Sequence, residues 1–161
     1  MIHNKRAYVD RFGGVYEHSP WVAEKAFDMG PPAPDVLPAT MRQIVEDASQ
    51  DAKLTLLRAH PDLAGKLAKT GDLTDESTSE QASAGLDQCT DEEFKAFTVL
   101  NDRYKTRFGF PYILAVRGRH RTEILENFKA RVDNTPEVEF REALDQVHQI
   151  ASLRFDALFS D

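Results

Sequence analysis

Apolar residues recur along this chain at intervals of three and four, the spacing that lines one face of an α-helix, and no segment alternates convincingly with period two. The pattern predicts a first short helix over residues 4–12, closed by Gly13-Gly14. Ser19 before Pro20 marks a second start, because proline at the first helical position loses no needed donor. That helix should run to Met29 and stop at Gly30, and Pro31, Pro32, Pro34 and Pro38 then read as a stiff connection. Thr40 is the expected cap of a third helix, with Met41, Ile44, Val45 and Ala48 on its inner face. A fourth starts near Gln50 and must end near His60, since Pro61 disfavours helical geometry in the residue before it. Thr90-Asp91-Glu92-Glu93 has the order of a capping box and opens a long helix. Phe94, Phe97, Leu100, Tyr104 and Phe108 fall near one face of it, and Gly109 terminates it. A helix over 121–132 carries Ile124, Leu125, Phe128 and Val132. The last runs from Thr135-Pro136 to Leu158, with Leu144, Val147, Ala151 and Leu158 directed inward. The expected architecture is all-α: one compact bundle of about eight helices, a single domain over residues 1–161 with short connections.

Composition narrows the function classes. The formal charge is −7, from 20 basic and 27 acidic side chains, which disfavours a phosphate backbone as partner. The single basic cluster, Arg117-Gly118-Arg119-His120-Arg121, is short and flanked by acidic segments, so it reads as a solvated turn. Cys89 is the only cysteine, which excludes an intrachain disulfide and any multi-cysteine metal site and suits a reducing compartment. It reads as a small core residue rather than a nucleophile. The apolar run from Tyr112 to Val116 is far short of the roughly 20 residues that cross a bilayer. The N-terminal residues lack the apolar stretch of a secretory signal, and Phe159-Ser160-Asp161 is not a peroxisomal address. A cytoplasmic protein is expected, with neither membrane nor nucleic acid as partner.

Three stretches interrupt the amphipathic pattern. In His60-Pro61-Asp62-Leu63-Ala64-Gly65-Lys66, the histidine sits at a helix end, where an imidazole can donate or accept a proton near neutral pH. The same placement also serves a histidine that merely neutralises a helix C-terminus. In Ser77-Thr78-Ser79-Glu80-Gln81, residues Ser77, Glu80 and Gln81 share a helix face that offers hydroxyl, carboxylate and amide to a polar, planar ligand. Ser77 to Glu80 is equally the spacing of a capping box, which would consume both side chains. In the third, if Pro111 opens a short helix, the amides of Tyr112, Ile113, Leu114 and their neighbours are free to bind anionic or carbonyl oxygen. Phe110 could then wall a pocket, and Arg117 could hold a carboxylate. A buried strand-like or helical core segment fits the same residues.

Metal chemistry finds no support: His3, His18, His60, His120 and His148 include no close pair at ligand spacing. No Gly-x-Ser-x-Gly elbow and no glycine-rich phosphate loop occur.

Together these residues carry a resemblance. Phe12-Gly13-Gly14-Val15-Tyr16-Glu17-His18-Ser19-Pro20-Trp21-Val22-Ala23-Glu24 and His60-Pro61-Asp62-Leu63-Ala64-Gly65 open it. Leu73-Thr74-Asp75-Glu76-Ser77, Glu80-Gln81, Ala84-Gly85-Leu86, Leu100-Asn101, Tyr104 and Phe108-Gly109-Phe110-Pro111 continue it. In that order and spacing the chain resembles the 2-oxo-4-hydroxy-4-carboxy-5-ureidoimidazoline (OHCU) decarboxylases, which act on the route from urate to (S)-allantoin. The resemblance implies an all-helical fold, a homodimer, a small ureide substrate, and neither metal nor organic cofactor. It implies His60 as proton donor, and Pro61, the run Ser77 to Gln81 and the run Tyr112 to Val116 as substrate contacts. On that basis His60 and Glu80 are the expected catalytic pair. The expected substrate-binding set is Pro61, Ser77, Thr78, Ser79, Glu80, Gln81, Phe110, Tyr112, Ile113, Leu114, Ala115, Val116 and Arg117. The rival readings are another ureide or hydantoin processor, and a non-catalytic helical interaction domain marked by a surplus apolar stripe.

Overall fold

The computed structural model describes residues 4–65 and 73–160; His3, Lys66 and Asp161, which enter the sequence reading, lie outside them. Among the described residues there are eight α-helices and no strand. They are α1 (Lys5–Phe12), α2 (Trp21–Asp28), α3 (Leu37–Glu46), α4 (Gln50–Arg58), α5 (Asp75–Ser83), α6 (Asp91–Phe108), α7 (Arg121–Arg131) and α8 (Pro136–Phe159), with a short 3₁₀ turn at Leu86–Gln88. The chain divides into two compact units: residues 1–59 with 147–161, and residues 60–146.

In the first unit α1 packs on α2 and α2 on α3. Asn4 and Ser49 cap α1 and α4 through their side chains, each accepting the backbone N–H of the third helical residue. Two local expectations are corrected. Helix α3 begins at Leu37, three residues before Thr40, because Pro38 fits the first turn, where its missing N–H has no partner to lose. Thr40 is therefore inside the helix, and its hydroxyl donates back to the Val36 carbonyl at 2.9 Å. Pro20, not Ser19, is the cap residue of α2; the Ser19 hydroxyl donates to the Glu17 carbonyl instead. The core of this unit includes Val22, Ala23, Met41, Val45, Leu56 and Leu57, with Val147, Ala151 and Phe155 from α8; Leu158 is only half-buried.

Two polar groups cross that core. The Tyr16 hydroxyl lies 2.8 Å from His148 Nδ1, and His148 Nε2 lies 2.9 Å from Glu46 Oε2. Arg154 donates to the Gly14 carbonyl at 2.9 Å and to Glu17 Oε2 at 3.1 Å.

The second unit is organised by α6 and α7. The capping box at Thr90 and Glu93 is complete in both directions, and Gly109 ends α6 in the left-handed conformation at φ 79°. Phe97, Leu100, Asn101 and Tyr104 form the buried face of α6, while Phe94 and Phe108 are half-buried. The periodicity had the face right and its edges too wide. No helix among the described residues is long and apolar enough to cross a membrane.

Candidate functional site

All the candidate residues belong to the second unit. His60 stands two residues past the end of α4, as Pro61 requires, and is 8% exposed. The loop behind it is held at every residue from 62 to 64. Gln81 Nε2 donates to the Asp62 carbonyl at 3.3 Å, and Gln81 Oε1 accepts the Ala64 N–H at 3.0 Å. Asn101 Nδ2 donates to the Leu63 carbonyl at 3.1 Å, and Lys105 pairs with the Asp62 carboxylate at 2.8 Å. Ala64 adopts a left-handed φ of 52°, which turns the chain within this short span.

Helix α5 supplies the second group. Its cap is Thr74, whose hydroxyl accepts the Ser77 N–H at 3.2 Å, so the Ser77 to Glu80 capping box does not form. Asp75 and Glu76 occupy the first turn, where the positive end of the helix dipole favours them. Ser77 and Gln81 are buried and Glu80 is half-buried, on one face of the helix. Thr78 and Ser79 are exposed on the other side, and the Thr78 hydroxyl donates to the Thr74 carbonyl at 2.9 Å. The five consecutive candidates thus split: three face inward and two face solvent.

The third stretch departs from the expectation of a helix. Pro111 opens no helix; residues 111–116 are irregular between α6 and a turn, and every residue from Phe110 to Val116 is buried. The run is therefore a buried core segment, but neither a helix nor a strand. Side chains do the work that a neighbouring strand would do. Arg131 donates to the Ile113 carbonyl at 2.6 Å, and Gln146 Oε1 accepts the Ala115 N–H at 3.0 Å. The Tyr112 ring stacks on Phe128 at 3.8 Å, the Arg131 guanidinium lies over the same ring at 4.6 Å from its centre, and the Tyr112 hydroxyl donates to Asn127. Burial, opposed by the nearby Arg131 charge, pushes the Tyr112 phenol above its ordinary value. Phe110 packs edge-on against Tyr104 and Phe140.

Arg117, the expected charge for a carboxylate, is exposed in the turn that follows the buried run. Two other arginines of the basic cluster are occupied by carboxylates: Arg121 with Glu93 at 2.7 Å and Arg119 with Glu123 at 3.4 Å. Cys89 is half-buried rather than a core residue, its thiol donating towards the Leu86 carbonyl at 3.5 Å. Burial and the Glu93 charge push that thiol up, which keeps it protonated and unreactive.

The sequence reading missed the polar side chains that carry this geometry: Asn101, Arg131, Glu139 and Gln146, all buried. A signal existed. Asn101 lies four residues after Phe97 and three before Tyr104, on the apolar face, and a polar residue at a core position asks for a partner. Among the described residues, no group of three or more His, Cys, Asp or Glu is arranged to hold a metal ion.

Comparison with known proteins adds the following. A family profile described as OHCU decarboxylase matches residues 3–156. The chain is 46% identical over 155 residues to the 2-oxo-4-hydroxy-4-carboxy-5-ureidoimidazoline decarboxylase of Haloferax volcanii, covering 96% of this chain and 90% of that one. It is 43% identical to the protein of the same name from Halalkalicoccus jeotgali, covering 96% and 86%. The crystal structure of an OHCU decarboxylase in the presence of (S)-allantoin superposes with a TM-score of 0.73 at 27% identity, over 88% of this chain and 92% of that one. An (S)-allantoin synthase crystal structure gives 0.75 at 36% identity, over 96% of this chain and 50% of that one.

Proposed function

The chain belongs to the OHCU decarboxylase family, and from that premise we propose how its residues carry out the reaction. The reaction is decarboxylation of OHCU in urate degradation, and the enzyme is a carboxy-lyase. When the bond to the carboxylate breaks and carbon dioxide leaves, an electron pair stays on the ring carbon. The conjugated C=N and C=O groups of the substrate itself take up that pair, so the chemistry calls for no external electron sink. A proton must then reach one face of the ring to give (S)-allantoin.

His60 delivers that proton. Its imidazole is nearly buried and follows a helix end, in a loop held at consecutive backbone positions. Glu80, on the inward side of α5, orients the substrate or removes a proton from it. Gln81 has spent one bond of each amide atom on the loop; one lone pair and one N–H remain for the ureide, beside the buried Ser77. Backbone N–H groups in the run Tyr112 to Val116, which Arg131 and Gln146 fix in place, stabilise the negative charge as it develops. Thr78, Ser79 and Arg117 are exposed, and their contacts to the substrate would be made at its solvent-facing side. The observation that carries the reading is the bridge from Gln81, next to Glu80, to the loop that begins at His60.

The family resemblance supports a homodimer, which sedimentation would read directly, and the single cysteine suits the reducing cytoplasm. The test of function is a coupled assay: urate oxidase and the preceding hydrolase generate OHCU, this protein is added, and optical activity is followed. Fast formation of (S)-allantoin is expected, against slow racemate without the protein. His60→Asn should lose most turnover, about 10²–10⁴-fold, with the fold intact. Near-normal turnover in that variant would remove His60 from the chemistry.

A further inference from the structure

Asn101 has no task in the substrate reading, yet it sits at the centre of the clamp on the His60 loop. It lies on the core face of α6 with Phe97, Leu100 and Tyr104 and is 4% exposed. An apolar residue would suit that place by burial alone. Instead its Nδ2 donates to the Leu63 carbonyl, while its Oδ1 is buried without a hydrogen-bond partner. The amide cannot be turned over, since two acceptor oxygens would then face each other. An unpaired buried acceptor lowers stability, so packing does not account for this side chain. What the N–H does is hold the middle residue of a three-residue stretch whose outer residues Gln81 already holds. One turn along α6, Lys105 pairs with Asp62, so the helix grips the loop at two successive points.

We propose that Asn101 is a positioning residue for the decarboxylation: through the Leu63 carbonyl it sets where the His60 imidazole stands relative to the substrate. Helix α6 is a suitable anchor, 18 residues long, with a full capping box at one end and a left-handed glycine at the other. The proposal rests on the assignment of proton transfer to His60, and its consequence is specific. Losing the Asn101 donor moves the imidazole without removing a substrate contact, so turnover falls while substrate affinity holds.

The test is Asn101→Leu in the full chain, compared with His60→Asn. Leucine removes the unpaired Oδ1 and leaves the Leu63 carbonyl unpaired, exchanging one such group for another, so the melting temperature should change little. Expected are a loss in kcat of about ten- to a hundredfold, a KM within a fewfold of the parent, and displaced His60 imidazole resonances in the NMR spectrum. The double variant should be no slower than His60→Asn alone. Parent kcat with unmoved His60 resonances overturns the proposal. If the leucine variant does not fold, Asn101→Ser serves, with the same two outcomes. An active His60→Asn sinks the functional reading and this proposal together; an inactive His60→Asn beside a fully active Asn101→Leu removes only the positioning role.

Discussion

Gln81 Oε1 accepts the backbone N–H of Ala64, a residue held at a left-handed φ of 52° and 3% exposed. That conformation costs a non-glycine residue about 1–2 kcal/mol, so the surrounding bonds must enforce it. The other half of the same amide reaches the Asp62 carbonyl, so one side chain closes the turn from both ends. The loop and α5 are thereby one mechanical piece, and the neighbour of Glu80 fixes the residues that follow His60.

Gln81→Leu should therefore affect stability and turnover together. It leaves the Ala64 N–H and the Asp62 carbonyl without their partner, at about 1–3 kcal/mol in urea unfolding. Gln81→Glu keeps the acceptor for Ala64 and loses the donor to Asp62, and should fall between. Equal stability of all three proteins would show that the turn closes without this amide. The space beneath it is tight as well: a Cβ on Gly65 would lie 2.7 Å from the Asp62 Cβ, so Gly65→Ala must shift the same turn.

A second prediction concerns the irregular run 110–116. Arg131 bonds the fully buried Glu139 carboxylate at 2.9 Å and the Ile113 carbonyl at 2.6 Å, while Glu139 also accepts from the Tyr104 hydroxyl at 2.6 Å and from Asn134 at 3.0 Å. Removing only the arginine leaves a buried carboxylate without its counter-charge. Arg131→Leu should cost about 3–5 kcal/mol. Removing the carboxylate as well, in Arg131→Leu with Glu139→Leu, should recover much of that loss, though not the hold on Ile113. A double variant less stable than Arg131→Leu would overturn this account, and a denaturant series on the three proteins decides it.

How far the sequence discloses this protein follows from where the physics is local. Helix faces and ends are local, so Asn4, Ser49, the Thr90 to Glu93 box and Gly109 behave as spacing and residue type predict. Thr40 misled because a good cap residue four positions after the observed cap, Val36, competes with a proline that tolerates the first turn. The run after Pro111 was ambiguous for a different reason. Its hydrogen bonds are made by Arg131 and Gln146, 18 and 31 residues further along, and no window around Tyr112 contains them. The inward trio Ser77, Glu80 and Gln81 was readable from helical spacing, and so was the exposure of Thr78 and Ser79 between them.

The last prediction is a stability that falls steeply in alkali. All four tyrosines, Tyr8, Tyr16, Tyr104 and Tyr112, have phenols raised above the ordinary value of 10, first by burial. For Tyr104, the hydrogen bond it donates to Glu139 adds to the rise. In the unfolded chain these phenols ionise near pH 10, while in the native protein they still hold their protons. Above that pH the unfolded state binds fewer protons than the native one, so stability declines as pH rises. Each phenol that stays protonated in the native state contributes a slope of about 1.4 kcal/mol per pH unit, and Tyr16, Tyr104 and Tyr112 acting together approach about 4 kcal/mol per unit. Below pH 10 both states are protonated and the tyrosines give no slope. Urea unfolding across this range, with tyrosinate absorbance followed in parallel, reads both quantities. Tyr112→Phe should make the decline shallower by one proton. Tyrosinate absorbance that grows near pH 10 while the helical signal and the unfolding midpoint stay constant would contradict the burial of these phenols.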